Sequence, residues 1–574
     1  MKHTKKAAAF LAFVLAFALL LAACGAPASG SGAAGGVYTQ PAQGNNGPVT
    51  VEVEIADGAV TRVEVVENSE TEGIADKPIA EIPAWIVENQ SLAVDAVSGA
   101  TNTSNAIVEA VALCLEEAGL DAEEWKSRTV EVQHQAKEDV TCDTVVVGAG
   151  GAGMRVALEL ADNGQNVILV EKQSMVGGAT SLAATYFVAV DTTYHQEDGM
   201  KISIDDYVAQ TAETNPDIDS DRLRLLLENS QESLDWLNGL GTNITRALSN
   251  YQVATEDGSS LGAAIVKAMS GALEQSAVDL RLDTEAVEIL TEDGAVTGVR
   301  VRDAGGEYAV RADAVVLATG GFVSGAEAVE KYSPEWAGLP STSAAGSTGE
   351  MFGLVEQIGG VLSNMDVVRL NPSVHSENGV NSSLSAARAE GGIIVNQQGL
   401  RFCNDYYPDY TTLSKWMVEQ EGDYVYILID QTAMDNSKRL QGFKDMGYFL
   451  EADTLEELAE KMNVPAENLV KTVEAYQEAV RTGVDEFGRT NNLSIDFSNP
   501  PYYAVTTSPG LQVSLGGILV DDSLRVQKQD GTSFDNLYAV GECADDGPTK
   551  LNAVLFTIDA ATGKCVKAER VDIP

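Results

Sequence analysis

The stretch Asp143–Ser181 reads DTVVVGAGGAGMRVALELADNGQNVILVEKQSMVGGATS. Val145, Val146 and Val147 form a short β-branched run suited to a buried parallel strand. Gly148, Gly150 and Gly153 follow in G-x-G-x-x-G spacing. An amphipathic helix pattern then runs to about Asn163 and stops at Gly164. A second apolar run, Val167 to Val170, ends at Glu171, eighteen residues after Gly153. Strand, glycine turn, helix, strand and acid in that order describe a dinucleotide-binding unit. Glycines let the backbone approach a pyrophosphate, and the helix start offers it free N–H groups. Glu171, followed by Lys172, is placed to accept from a ribose hydroxyl. A bare glycine triplet would suit any tight turn; its flanking elements favour the ligand.

Further small-residue segments specify the dinucleotide. Gly177, Gly178, Ala179, Thr180 and Ser181 come just after the acid. Ala318-Thr319-Gly320-Gly321 follows the apolar run Ala314 to Leu317, and Gly541-Glu542 stands near the end of the chain. With Gly151 and Ala152 of the first turn, this set resembles the FAD-binding pattern of the fumarate reductase and succinate dehydrogenase flavoprotein superfamily. The resemblance spans most of Asp143 to Lys567. It implies an α/β fold: a Rossmann-like domain holding FAD noncovalently, interrupted by an α+β cap domain over the substrate.

The chain has 574 residues, enough for several domains, and a formal net charge of −48. That charge argues against nucleic acid and against charge-driven binding to an anionic membrane. The cysteines are scattered with no C-x-x-C, and there are four histidines. An iron–sulfur ferredoxin segment, a zinc ribbon and a multi-haem relay are thereby excluded, and no metal site is expected.

Lys2, Lys5 and Lys6 precede a continuous apolar stretch, Ala7 to Ala23, which ends in Leu21-Ala22-Ala23-Cys24 before Gly25. This resembles a bacterial lipoprotein signal, which implies lipidation at Cys24 and an extracytoplasmic, membrane-anchored protein. Residues 25–36 are rich in Gly, Ala and Ser and read as a flexible tether.

Residues 37–121 read as a small α+β domain. Val49 to Ile55 and Val60 to Val66 alternate as strands around a hairpin turn at Asp57-Gly58. Asp95-Ala96-Val97-Ser98-Gly99-Ala100-Thr101 leads towards a helix from Ala106 to Glu117. This domain resembles the FMN-binding domain of bacterial extracytoplasmic flavoproteins, whose motif Asp-x-x-Ser/Thr-Gly-Ala-Thr/Ser is met at every fixed position. The resemblance implies FMN attached covalently by a dedicated FMN transferase to Thr101, with Thr103 the second hydroxyl nearby.

The expected order is then a linker at 122–141, the FAD-binding domain at 142–365, the cap at 366–513 and the rest of the FAD-binding domain at 514–574. Runs at Val287 to Ile289, Val296 to Val301 and Tyr308 to Val310 read as a strand meander. Helical patterns at Leu455 to Met462 and Asn468 to Arg481 lie in the cap.

The substrate site departs from the superfamily pattern. The arginine of a Glu-x-x-Arg pair is present as Arg388, but the glutamate position holds Ser385. The proton-donating arginine is missing from Asn404-Asp405-Tyr406-Tyr407-Pro408-Asp409, and ungapped counting places Asp409 there. Two expected histidines are Asn371 and Val513. The carboxylate-binding arginine near the end is replaced by Lys550, a poorer bidentate partner. Tyr407 is the expected proton donor, with Tyr406 and Asp409 as rivals and Arg388 as relay or electrostatic support.

These features point to a flavin reductase passing electrons from a membrane-bound donor through FMN and FAD to an activated C=C bond. The altered clamp argues against fumarate and for an unsaturated small molecule with one carboxylate or none: an enone, enoate or aryl-alkene. Urocanate reduction is the nearest named alternative. A dehydrogenase running the reaction in reverse and a noncatalytic electron-transfer lipoprotein are the others.

Overall fold

The computed structural model describes residues 35–44, 47–70, 75–94, 97, 100–128, 137–183, 186–214, 220–377, 380–545, 554–558 and 565–570. The lipidation signal with Cys24, most of the tether, Ser98, Gly99 and Lys550 lie outside the described residues. The chain divides into two compact units, 1–132 and 133–574.

In the first unit, strands Gly36–Gln43, Pro48–Ala56 and Ala59–Glu67 form an antiparallel meander. Asp57 and Gly58 both take positive φ, the twist that a two-residue hairpin needs. Alternation buries Val49, Val51, Val53 and Ile55 on one face, against Ile82 and Ile86 of helix Asp76–Asn89. Ile107, Val111 and Leu115 of helix Thr101–Glu117 complete that core. This helix starts five residues before the apolar periodicity, at the expected FMN acceptor.

The linker expected from residue 122 begins later. Ala122–Ser127 is a helix capped by Asp121, and Trp125 is buried in the core of this unit. The large indole gains more from burial than a polar linker composition suggests. Leu92 N–H donates to the Trp125 carbonyl at 2.9 Å and fixes the helix there.

The second unit is built on strand Val140–Val147. It pairs in parallel with Val167–Val170 on one side and Gly306–Leu317 on the other. Asp279–Arg281 adds in parallel beyond Val167–Val170, and Ser533–Ala539 beyond Gly306–Leu317. Val145 and Val146 are fully buried. Each such side chain contributes roughly 1.5–3 kcal/mol of transfer free energy, which explains an unbroken valine run rather than alternation. The meander and the returning parallel strand are one element. Gly306–Leu317 pairs antiparallel with Ala295–Asp303 through its first half and parallel with Ser533–Ala539 at its end.

The cap carries its own antiparallel sheet. Strand Tyr502–Ser514 pairs with Val368–Glu377, Val425–Asp430 and Leu450–Ala452. Helix Leu455–Met462 matches the expected bounds, and Ala466–Thr482 extends the second helix by two residues at its start and one at its end. Ile393, Ile427, Leu458, Val473 and Tyr503 form the cap core. Val368, Leu370 and Leu511 are instead buried in the core beneath the parallel sheet. Strands Val368–Glu377 and Tyr502–Ser514 therefore run from one core into the other.

Candidate active site

The glycine segments converge at the C-terminal ends of the parallel strands. Gly148 has φ +101°, and a Cβ there would lie 2.4 Å from the Ala318 carbonyl oxygen. At Gly153 a Cβ would stand 1.8 Å from the Gly148 carbonyl oxygen, so no side chain fits. Helix Gly151–Asp162 starts from Gly150, which has no capping side chain and leaves first-turn N–H groups for an anion. The second run folds onto the first. Gly177 N–H donates to the Ala149 carbonyl at 2.8 Å, and Gly151 N–H to Thr180 Oγ1 at 3.1 Å. Gly178, Ala179, Thr180 and Ser181 form a short 3-10 turn at that contact.

Glu171 accepts from Ala149 N–H at 2.7 Å and from Gln173 N–H at 2.8 Å, one through each carboxylate oxygen. Burial pushes its carboxyl above the usual range, against the pull of those N–H groups. A second lone pair on each oxygen remains for a ribose hydroxyl. Lys172 is turned away and pairs with Glu350 at 2.8 Å. Gly321 is packed so closely that a Cβ would meet Ser514 Oγ at 2.0 Å and Glu542 Oε1 at 2.2 Å. Ser514 donates to Glu542 Oε1 from both N–H and Oγ, at 3.1 Å each. Ala318 is anchored by its N–H on the Val147 carbonyl at 2.7 Å, leading into Thr319 and Gly320, whose φ is +70°. Gly541, also at positive φ, would bring a Cβ within 2.9 Å of Ala152. These close backbone approaches, a buried acid and an uncapped helix start fit an extended dinucleotide such as FAD.

The cap contributes a buried ionic cluster. Arg401 pairs with Asp405 and, at 2.6 Å, with Asp485; Arg489 pairs with Asp405 at 3.2 Å. Asp405 also accepts Ile394 N–H at 2.7 Å. Arg388 is buried and donates from Nε to the Asp405 carbonyl at 2.9 Å. Burial lowers the Arg388 guanidinium from its usual range, opposed first by Tyr410 and then by Asp405. Three guanidinium groups face two carboxylates, so the cluster carries one unmatched positive charge on the Arg388 side.

Tyr410 receives that charge. Arg388 stands over its ring with the guanidinium carbon 5.1 Å from the centroid, and Arg369 stands 5.6 Å from the same ring. Arg369 is exposed, and among the described residues it makes no ion pair. Strand register sets Arg369 opposite Val513 and Val368 opposite Ser514, the residue that donates to Glu542.

The sequence candidates for the proton donor have other duties. Tyr407 packs its ring on Trp416 at 4.9 Å, and Tyr406 lies beneath Arg489 at 5.9 Å. Asp409 is the N-cap of helix Tyr410–Val418, accepting from Thr411 N–H and Thr412 N–H. Ungapped counting points to Asp409, whereas the tyrosine ring beside Arg388 is that of Tyr410, one place further on. The segment Asp409-Tyr410-Thr411-Thr412 carries a helix N-cap signal that accounts for Asp409.

Two altered positions meet in a neutral chain. Asn371 Nδ2 donates to Ser383 Oγ at 2.8 Å, and Ser383 Oγ donates to Ser385 Oγ at 3.4 Å. The uncharged residues replacing a histidine and a glutamate thus bond through Ser383, which the sequence reading did not single out.

In the first unit, Ala100 precedes the helix start, with its N–H on the Val97 carbonyl at 3.0 Å. Thr101 opens the helix as its first residue. Thr103 is buried and its hydroxyl donates to Glu70.

Comparison with known proteins agrees with this geometry. The FAD binding domain family matches residues 143–553, and the FMN-binding domain family matches 44–116. An NADH:fumarate oxidoreductase of Klebsiella pneumoniae is 28% identical over 88% of this chain, which spans only 55% of that relative. The urocanate reductase of Eggerthella lenta is 29% identical over 90% of this chain and 89% of its own length. The open conformation of a flavocytochrome c3 fumarate reductase superposes with a TM-score of 0.65 at 26% identity, covering 74% of this chain and 78% of that one. The chain belongs to the FAD binding domain family, with an FMN-binding domain ahead of the dinucleotide fold.

Proposed function

We propose that this protein reduces an activated C=C bond in a small molecule bearing one carboxylate or none. Bound FAD, once reduced, supplies a hydride to one carbon of such a bond. The carrying observation is the neutral Asn371–Ser383–Ser385 chain beside a retained, buried Arg388. A dicarboxylate needs cationic donors at both ends, and here the expected histidine is the uncharged Asn371. Arg369 offers one exposed guanidinium able to hold a single carboxylate. Relatives that reduce fumarate and urocanate support the reaction class, and the departures from their pattern favour an enone, an aryl-alkene or a monocarboxylic enoate.

In this reading the first unit carries FMN on Thr101, attached by an FMN transferase, and takes electrons from a membrane-bound donor. A lipid on Cys24 anchors the protein to a membrane outside the cytoplasm. The lipobox-like sequence Leu21-Ala22-Ala23-Cys24 supports the anchor, and the fit at Asp95 to Thr101 supports the flavin link.

The test is oxidation of reduced methyl viologen by the two-flavin protein in the presence of fumarate, urocanate, cinnamate, 4-vinylphenol or 2-cyclohexenone. Turnover of a neutral or monocarboxylate compound at least tenfold above fumarate supports the proposal. Preferential turnover of fumarate contradicts it.

A further inference from the structure

We infer that Tyr410 is the catalytic acid of this site, delivering a proton from its hydroxyl to the substrate carbon next to the one that receives hydride. The inference rests on the reductase reading and adds the residue that completes the reaction.

Three observations carry it. First, Tyr410 is the described tyrosine whose ring meets Arg388, the cation kept where the superfamily pattern has one. Second, Arg388 is buried, and its Nε is held by the Asp405 carbonyl, itself fixed by the Arg401, Asp485 and Arg489 network. Its position is therefore set by the cap core rather than by solvent. Third, Tyr410 opens helix Tyr410–Val418, and Asp409 caps that helix through Thr411 and Thr412. The cap fixes the backbone from which the ring projects, whereas Tyr407 packs on Trp416 and Tyr406 lies beneath Arg489.

The step balances. The carbon β to the activating group gains hydrogen with two electrons as hydride from the reduced flavin that the proposed activity supplies. The π electrons become a pair on the α-carbon, stabilised by the activating group. The Tyr410 O–H bond breaks, its proton joins that pair as a new C–H bond, and a phenolate remains. The unmatched positive charge of Arg388, buried where water does not screen it, stabilises that phenolate. Arg369, on the exposed side of the ring, adds a second positive charge. Water returns the proton. Arg388 acts through Tyr410 and is a positioning residue.

The test uses the full two-flavin protein with cinnamate and 2-cyclohexenone as probes. In Tyr410→Phe, reoxidation of the dithionite-reduced protein by whichever probe serves the wild type should fall by about 10²-fold or more, the range of general-acid effects. FAD content should be unchanged. Tyr407→Phe and Tyr406→Phe should stay within about threefold of wild type on the same scale. A second readout is independent of turnover. In oxidised protein labelled at tyrosine Cζ, the resonance absent from Tyr410→Phe should move when the same probe is added, and should already be displaced in Arg388→Gln. A Tyr410→Phe rate within threefold of wild type, or a Tyr410 resonance indifferent to the probe, overturns the assignment while leaving the reductase reading intact. Wild-type protein that neither probe reoxidises overturns both.

Discussion

Arg388 stands over the ring of Tyr410, the guanidinium carbon 5.1 Å from the ring centroid, although the two belong to different helices of the cap. The contact joins the cap's buried charge network to a ring at the start of helix Tyr410–Val418.

Glu171 holds two backbone N–H groups with a buried carboxylate. In Glu171→Gln one of those N–H groups would face an amide NH₂ and lose its acceptor. A buried unsatisfied donor costs about 1–3 kcal/mol, so FAD affinity should drop about tenfold to hundredfold. FAD retained through gel filtration, read by absorbance, checks this.

Asp485 is pushed up by burial, but the hydrogen bond and charge of Arg401 outweigh that and leave its carboxyl below the usual range. A carboxyl lowered on folding stabilises above its unfolded value, near ~4. That stabilisation is lost as pH falls through the lower folded value. Asp485→Asn should destabilise the cap by about 3 kcal/mol at neutral pH, the low end for breaking a buried pair. The gap from wild type should close on acidification. Hydrogen exchange at Val425–Asp430, followed against pH, measures it.

Thr103 is buried and bonded to Glu70, whereas Thr101 begins its helix. With the transferase coexpressed, Thr101→Ala should lose all covalent FMN, seen as the missing mass increment of the intact protein. Thr103→Ser, which keeps the hydroxyl, should retain it. The opposite pattern would move the attachment point.

Arg369 is exposed beside Tyr410 in a strongly acidic protein and has no carboxylate partner among the described residues. Arg369→Gln should raise KM for cinnamate about tenfold, one charge-assisted hydrogen-bonded contact being worth roughly 1.5–3 kcal/mol. KM for 2-cyclohexenone should change little. Equal effects on both compounds would remove Arg369 from carboxylate binding.

Much of the fold was legible in the sequence. Val145 to Val147, the glycines at 148, 150 and 153, and Glu171 each have a local reason to be where they are, and the structure keeps them together. Trp125 was misread because a charged segment hides one large apolar anchor, and the strand Gly306–Leu317 because its two halves pair with different partners. The substrate site was less legible for the same kind of reason. Asn371, Ser383 and Ser385 meet through a hairpin register that no spacing rule specifies. Counting along the chain points to Asp409, whose carboxylate caps helix Tyr410–Val418, whereas the ring beside Arg388 belongs to Tyr410, a proximity that no spacing rule specifies.

The central claim is tested most directly by single-turnover reoxidation. Fully dithionite-reduced, two-flavin protein is mixed anaerobically with limiting 2-cyclohexenone, cinnamate or fumarate, with flavin absorbance and saturated product followed together. The account predicts that 2-cyclohexenone or cinnamate returns the flavin spectrum to the oxidised form with one saturated product per two electrons, and that fumarate does so at least tenfold more slowly. Fast reoxidation by fumarate, or no reoxidation by any of the three while a saturated analogue reduces the oxidised flavins, would contradict it.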